Sequence, residues 1–238
     1  MFSTSQGVLQ PQLIDISHKL DSRISTYPGD PSFACIPFST VEKDGWSVHS
    51  ISIGSHSGTH LDAPSHLKRN GKTVDEIPLN MLIGRARIID VTGKSASSKI
   101  TWKDIQSHFP HSSSPWRIVI LYTGWAKYWG TDEYLSYPIL EKRAAEELIA
   151  REVAVLGVDT LSPDAIDGPD GYGVHEVFLG ADKVLVENLN LTGLQPGDEV
   201  MVSFLPLKLA GCDGSPIRAL AWKERESNTG ATEALEES

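Results

Sequence analysis

Four residues with metal-binding side chains lie within eleven positions of this 238-residue chain: His56, His60, Asp62 and His66. Neutral imidazole rings and a carboxylate are the ligands that Zn²⁺ and Mn²⁺ bind in proteins. Buried imidazoles and carboxylates also need partners, which makes a histidine-rich loop without a metal the weaker interpretation. The segment therefore predicts part of a divalent-metal site.

The spacing of these residues requires the backbone to bend. All four occupy even positions, so an extended strand would place them on one face. At ~3.3 Å per residue, however, His56 and His66 would lie roughly 33 Å apart. Gly58 and Pro64 are the expected bending points, because glycine adopts positive φ and proline interrupts strand pairing. A helix joining His56 to His60 is disfavoured, since the three residues between them are poor in helix interiors.

The second half of the chain supplies candidates for the remaining ligands. His175 follows a glycine-rich stretch, and Glu187 ends the apolar run Lys183–Val186. A carboxylate at the end of a buried strand is costly without a cation or hydrogen-bond donors. A residue that simply reaches solvent remains the alternative for Glu187. Cys212 has no evident base beside it, and we interpret it as structural.

The elements that must position these residues can be read from the hydrophobic pattern. Buried strands are expected at 86–91, 118–122, 153–158, 183–186 and 200–205, and half-exposed strands at 13–16 and 48–53. A helix is expected from about Ser136, with Pro138 in its first turn, through residues 139–152. Thr101 should cap a shorter helix at 102–107. Surface loops are expected at 160–173 and 210–216. The predicted fold class is mixed α/β and rich in strands.

Composition limits the possible functions. The net charge of −10 and pI near 5.2 argue against a nucleic-acid partner. No secretory signal or membrane-length apolar run is visible, and two cysteines without a CxxC pair favour a reduced compartment. We predict a cytoplasmic protein with no membrane association. One domain is expected at 1–222, followed by a loose polar tail at 223–238.

The segment from His56 to His66 fits HxGTHxDxPxH, and here the chain resembles the cyclase family of metal-dependent hydrolases, which includes bacterial kynurenine formamidase and isatin hydrolase. The resemblance also covers short segments elsewhere: DIS near Asp15, YPGDP at 27–31, GVDTLSPD at 157–164, ENL at 187–189 and LPLKLAGCDGSPIRA at 205–219. It implies a swivelling β/β/α fold, one or two Zn²⁺ or Mn²⁺ ions, a small-molecule substrate and a homo-oligomer, dimer or tetramer.

The resemblance also implies roles for individual residues. His56, His60, Asp62, His175 and Glu187 correspond to metal ligands, Asp62 to a carboxylate that can bridge two ions, and His66 to the proton donor and acceptor. Tyr27 stands where kynurenine formamidases carry a substrate-contacting Trp, which weakens the assignment to N-formylkynurenine. Since a buried hydroxyl needs a partner, we expect the substrate to offer Tyr27 a hydrogen bond.

These inferences predict hydrolysis of an amide-type C–N bond in an arylformamide or cyclic amide. His66 would act as general acid and base, although it could instead be a further ligand. The alternatives are a lactone hydrolase, a cyclase or dehydratase using the same metal site, and a non-catalytic metal-binding protein. The last is disfavoured because closed structural zinc sites are usually rich in cysteine.

Two further groups of residues are candidates for binding a substrate or an ion. Tyr27, Trp46 and Trp125 are candidates to line an aromatic substrate pocket. Asp159, Asp164, Asp167 and Asp170 suggest calcium, but their spacing lacks the EF-hand pattern. Solvated turn residues are the expected explanation for these four aspartates.

Overall fold

The computed structural model describes residues 11–110, 116–166 and 171–224, in which short helices surround one large sheet. The strands are β1 (Ile14–Asp15), β2 (Ala34–Ser39), β3 (Val48–Ser52), β4 (His60–Asp62), β5 (Ile83–Asp90), β6 (Lys99–Ile100), β7 (Ile118–Tyr122), β8 (Ile139–Leu140), β9 (Val155–Val158), β10 (Val184–Glu187), β11 (Glu199–Ser203), β12 (Gly214–Pro216) and β13 (Leu220–Trp222). The α-helices are α1 (Val41–Asp44), α2 (Leu79–Leu82), α3 (Trp102–Ile105), α4 (Lys142–Ala150) and α5 (Gly173–Gly180).

Short 3₁₀ helices complete the described elements, at Pro64–His66, Val74–Glu76, Gln106–His108, Trp125–Tyr128, Asp132–Ser136 and Leu191–Gly193. No described helix is long and apolar enough to cross a bilayer.

Nine strands form the main sheet in the order β1-β13-β11-β5-β7-β9-β10-β4-β12. The four central strands, β5, β7, β9 and β10, run parallel, and the strands flanking them on both sides pair antiparallel. The central strands are the apolar runs of the sequence, as expected for strands buried on both faces. The mixed α/β prediction is confirmed.

Side-chain alternation along the strands separates two apolar cores. Ile88 and Ile120 belong to one, whereas Ile89 and Leu121 belong to the other, which also contains buried apolar side chains of α4 and α5. This is the period-two pattern of a sheet covered on both faces. The sheet therefore provides a rigid frame at whose edge β4 and β12 lie.

The prediction that a helix begins near Ser136 was wrong. Ile139 and Leu140 instead pair with Lys99 and Ile100, and the helix begins at Lys142. Strand pairing at these two positions, together with the burial of Leu140, stabilises this segment more than its helical propensity would stabilise a helix. The short helix behind Thr101 is confirmed, with Thr101 and Asp104 forming a capping box.

Two predictions about exposure were also wrong. Residues 160–164 are buried rather than part of a surface loop, and 214–216 form strand β12. Strand β3, expected to be half exposed, is exposed along its whole length. Of the predicted tail, only Lys223 and Glu224 lie within the described residues.

Candidate metal centre and active site

The histidine segment bends where the sequence predicted. Gly58 adopts φ +63°, β4 then extends only over His60–Asp62, and Pro64 opens a 3₁₀ helix that ends at His66. A Cβ at residue 58 would also force the end of the Leu20 side chain to move, but it is the positive φ that favours glycine here. His60 and Asp62 consequently share one face of a short strand.

Strand register brings Glu187 to this face. β10 pairs antiparallel with β4, so that Glu187 lies opposite His60 and Leu185 opposite Asp62. Glu187 is 5% exposed, which excludes the alternative of a strand-end residue reaching solvent. Residues that are 127 positions apart in the chain thus become neighbours through one ladder.

His175 approaches from the first turn of α5. Asp164 accepts hydrogen bonds from the backbone N–H groups of Val174 and His175, and from His175 Nδ1 at 2.7 Å. The other ring nitrogen, Nε2, then lies 3.4 Å from Asp62 Oδ2 and 3.3 Å from Glu187 Oε1. A carboxylate that holds the far nitrogen of a ligating imidazole is a usual feature of metal sites.

The prediction that the aspartates of this loop are solvated turn residues was wrong for the two that the structure describes. Asp159 and Asp164 are both buried, at 0% and 6% exposure, rather than solvated. Asp159 accepts hydrogen bonds from the backbone of Thr123 and Gly124, which gives it a structural role. Asp167 and Asp170 lie outside the described residues.

Four donor side chains converge at distances that suit a small cation. His60 Nε2 lies 3.2 Å from Asp62 Oδ1 and 3.3 Å from Glu187 Oε2. With His175 the four contacts span 3.2–3.4 Å. Tetrahedral ligands at ~2.0–2.1 Å from Zn²⁺ are separated by ~3.3 Å.

Buried polar atoms without hydrogen bonds point to the same centre. Of the eight buried side-chain atoms that lack a hydrogen-bond partner among the described residues, three meet here: His60 Nε2, Asp62 Oδ2 and Glu187 Oε1. Leaving such groups unpaired costs ~1–3 kcal/mol each, more when charged. A divalent cation would satisfy all three together, so these residues fit a metal.

The pKa values reflect two carboxylates surrounded by imidazoles. Burial alone would lower the pKa of His60, but Asp62 and Glu187 outweigh it and raise this pKa to about 10. Burial likewise opposes protonation of His175, yet Asp164, Asp62 and Glu187 hold its pKa well above the usual value. Burial would raise the pKa of Asp62, whereas His60, His175 and His56 hold it well below its usual range. The centre attracts positive charge, supplied either by protons or by a cation.

A hydrogen bond from the ring nitrogen that faces away from the carboxylates fixes the orientation of His60. Its Nδ1 donates to the carbonyl of Gly58 at 2.8 Å, which leaves Nε2 directed at the carboxylates. Asn188 donates to the same carbonyl and accepts from the buried hydroxyl of Tyr134. Neither Asn188 nor Tyr134 was predicted, although Asn188 lies in the ENL segment.

Asp213 joins the two outer histidines and was missed by sequence reasoning. Its Oδ2 lies 2.9 Å from His56 Nε2 and 3.0 Å from His66 Nδ1. The other nitrogen of His56 lies 2.7 Å from Asp62 Oδ1. Asp213 lies in the 205–219 segment of the resemblance, but it stands in an Asp-Gly pair, which is usually read as a turn.

The donor atoms form two overlapping groups of possible metal ligands. His60, Asp62 and Glu187 make one, and His56, Asp62 and His66 make the other. Asp62 is common to both. The structure thus brings together all six residues singled out from the sequence as ligands or as proton carrier: His56, His60, Asp62, His66, His175 and Glu187.

A cavity of about 250 Å³ opens over the cluster. Its outer wall includes Tyr27, Asp30, Leu67, Leu161 and Tyr172, and no lysine or arginine of the described chain lines it. The two tyrosines and two leucines form a partly apolar wall, suited to a small cyclic or aromatic molecule.

Of the three aromatic candidates, only Tyr27 lines the cavity. Trp46 is 64% exposed on the β2–β3 hairpin, and Trp125 is buried in an aromatic cluster with Tyr134 and Tyr137, against which Tyr27 packs. The Tyr27 hydroxyl donates to the carbonyl of Ile166 at 3.1 Å. The protein therefore supplies one partner for this hydroxyl, whose oxygen can still accept a hydrogen bond, and a hydrogen bond between the substrate and Tyr27 stays a prediction.

The chain is similar in sequence to a known protein family and to named enzymes. A family model described as "Putative cyclase" matches residues 14–165. Kynurenine formamidase of Bacillus cereus is 32% identical over 208 residues, which cover 87% of this chain and 95% of the relative. The enzyme of Geobacillus thermodenitrificans is 33% identical over 208 residues, with the same two shares of 87% and 95%.

The fold is also similar to solved structures of isatin hydrolases. Isatin hydrolase A from Labrenzia aggregata, bound to benzyl benzoate, superposes with a TM-score of 0.76 and 28% identity, covering 89% of this chain and 93% of that one. Isatin hydrolase A from Ralstonia solanacearum has a TM-score of 0.79 and 25% identity, covering 94% and 100%.

Proposed function

The chain belongs to the cyclase family, and from this premise we propose that the cluster around Asp62 is the catalytic metal centre of a hydrolase. Relatives named kynurenine formamidase and isatin hydrolase support hydrolysis of an amide-type C–N bond other than a peptide bond. The observation that carries the assignment is the set of 3.2–3.4 Å contacts among the side chains of His60, Asp62, His175 and Glu187.

We propose that these four residues and His56 hold the cation. Nitrogen and oxygen donors without a thiolate suit Zn²⁺ or Mn²⁺. The two ligand groups that share Asp62 allow one ion or two. A bound divalent cation polarises a carbonyl oxygen and lowers the pKa of a water molecule toward ~7.

We assign proton transfer to His66. Its Nδ1 lies beside the Asp213 carboxylate, so Nε2 is the nitrogen free to accept a proton from the attacking water and to return it to the leaving nitrogen. Asp213 acts as a positioning residue, since its contact with Nδ1 fixes the orientation of the ring. The second ligand group keeps one alternative open, in which His66 binds a second ion.

The substrate we propose is a small aromatic or cyclic carbonyl compound, either an arylformamide or a cyclic amide. Tyr27, Tyr172 and Leu161 offer it an apolar wall. With no lysine or arginine among the described lining residues, a carboxylate on the substrate would have only the metal centre and its histidines as cationic partners.

Turnover of a matched panel tests this proposal. Metal-loaded protein should hydrolyse N-formylkynurenine or isatin faster than a lactone of similar size. Hydrolysis of the lactone alone would instead support the lactone-hydrolase alternative, and binding of metal without any turnover would support a non-catalytic protein. Location in the cytoplasm also remains a proposal, supported by the two free cysteines Cys35 and Cys212.

Asp164→Asn should weaken metal binding. Asparagine cannot hold three N–H donors as the carboxylate does, and loss of such an outer partner typically costs ~10–100-fold in metal affinity. Competition with a metal indicator measures the dissociation constant. The exposed Asp132→Asn is the matched control, and an unchanged constant in Asp164→Asn would show that His175 does not depend on Asp164.

A further inference from the structure

A second cavity, of about 290 Å³, is separate from the metal centre and shares no lining residue with the cavity above it. It lies at the carboxyl ends of three central parallel strands, since β5 ends at Asp90, β7 at Tyr122 and β9 at Val158. The crevice outside the carboxyl ends of the strands is where open α/β sheets commonly bind ligands. The position and size of this cavity therefore suit a small molecule.

The buried carboxylate of Asp159 fixes the turn that forms one wall of the second cavity. Its Oδ1 accepts hydrogen bonds from the backbone N–H of Thr123 at 3.0 Å and from the Thr123 hydroxyl at 2.6 Å, and its Oδ2 accepts one from Gly124 N at 2.8 Å. Gly124 adopts φ +75°, and a Cβ there would lie 3.7 Å from Thr92 and 3.9 Å from Tyr122. Glycine thus leaves open the space beside two lining side chains.

Hydroxyl groups of the second cavity have hydrogen-bonding capacity to offer a ligand. The Thr92 hydroxyl donates to Asp90 Oδ1 at 2.7 Å. The Thr192 hydroxyl donates to Asn190 Oδ1, also at 2.7 Å. Both threonine oxygens can therefore only accept from a ligand. Burial, followed by the charges of two nearby carboxylates, raises the pKa of Tyr122, so this hydroxyl keeps its proton and can donate.

Lys127 is the one cation among the described residues that line the second cavity. Its ammonium lies 4.8 Å from the ring centroid of Tyr128. Within the described parts of the chain, neither this ammonium nor the Tyr122 hydroxyl has a hydrogen-bond or ion-pair partner. The cavity thus offers two unpaired donors, one of them charged. Because Asp159 is buried in the wall, one negative charge on a ligand is accommodated better than two.

We propose that the second cavity binds a small polyhydroxylated monocarboxylate, the chemistry of a sugar acid. The ligand's carboxylate would accept from the Lys127 ammonium and the Tyr122 hydroxyl, and its hydroxyls would donate to Thr92 and Thr192. A neutral polyol would leave Lys127 unpaired, and an alkyl carboxylate would leave the threonine oxygens unpaired. The proposal stands independently of the reaction at the metal centre.

Two-dimensional NMR of the full chain tests the proposal with three six-carbon probes. D-gluconate should shift the backbone signals of Thr92, Gly124 and Thr192 saturably. Sorbitol lacks the carboxylate and hexanoate lacks the hydroxyls. Each should bind at least about tenfold more weakly, the effect of losing one charge-assisted or several neutral hydrogen bonds. Gluconate should still bind after the protein is stripped with a chelator, because no proposed metal ligand lines this cavity.

The variant Lys127→Met should weaken gluconate binding by at least about tenfold as well, through loss of the charged donor. Lys103→Met is the matched control, since Lys103 is also exposed and lines neither cavity. The wild-type titration needs no variant to fold. Absence of saturable shifts, equal binding of sorbitol or hexanoate, unchanged binding by Lys127→Met, or shifts confined to the metal centre would each overturn the proposal. The last result would mean that gluconate binds only the cation.

Discussion

Replacing His60 by alanine is expected to abolish metal binding and hydrolysis together. His60 is almost completely buried, and its Nε2 faces both Asp62 and Glu187. Removing it would delete one of the proposed ligands and leave the two carboxylates with less positive charge nearby. The loss of metal affinity should exceed the ~10–100-fold typical of losing an outer hydrogen-bond partner.

Elemental analysis and turnover of the purified variant check this result. His108→Ala, at a histidine outside the site, is the control and should keep both metal and activity. Because breaking a buried ion pair costs ~3–5 kcal/mol, His60→Gln is prepared alongside and both variants are compared with wild type by circular dichroism. A folded His60→Ala protein with wild-type metal content would rule out His60 as a ligand.

His66→Ala is expected to keep the metal but lose ~10²–10⁴-fold in kcat, the range for a missing general acid and base. The side chain of His66 is more exposed than those of His60, Asp62 and Glu187, and its Nδ1 already contacts Asp213. The effect should be smaller for a substrate whose leaving group needs no proton. Asp213→Asn should lower kcat in the same direction but less severely, since asparagine can still accept the hydrogen bond.

Metal content distinguishes this role from ligation. If His66→Ala loses metal as well as activity, His66 belongs to the second ligand group with His56 and Asp62. Equal losses for good and poor leaving groups would also count against proton donation by His66.

Sequence predicted the local parts of the fold well. β7 occupies the predicted range of 118–122, because an apolar β-branched run in the middle of a parallel sheet has no competing structure. The start of α4 was misplaced because pairing of Ile139 and Leu140 with β6 is a tertiary effect. The exposure of β3 along its whole length could not be predicted either. Alternation of apolar and polar residues does not show whether another element packs on a face of the strand.

The same distinction applies to the site. The spacing from His56 to His66 is local and therefore visible in the sequence. Asp164 and Asp213 act across 11 and 147 positions on His175 and His66, and both occur in turn-like contexts where aspartate is common. Their roles depend on how β12 and α5 are placed against β4, which only the folded chain reveals.

The most direct test of the metal-centre account is to strip the protein with a chelator and return the cation in measured amounts. Hydrolysis of an arylformamide or cyclic amide should be absent from stripped protein and rise in proportion to Zn²⁺ or Mn²⁺ bound, reaching its maximum at one or two ions per chain. Protein carrying His60→Ala should not recover. Full hydrolysis by stripped wild-type protein, with no bound cation detectable, would contradict the account.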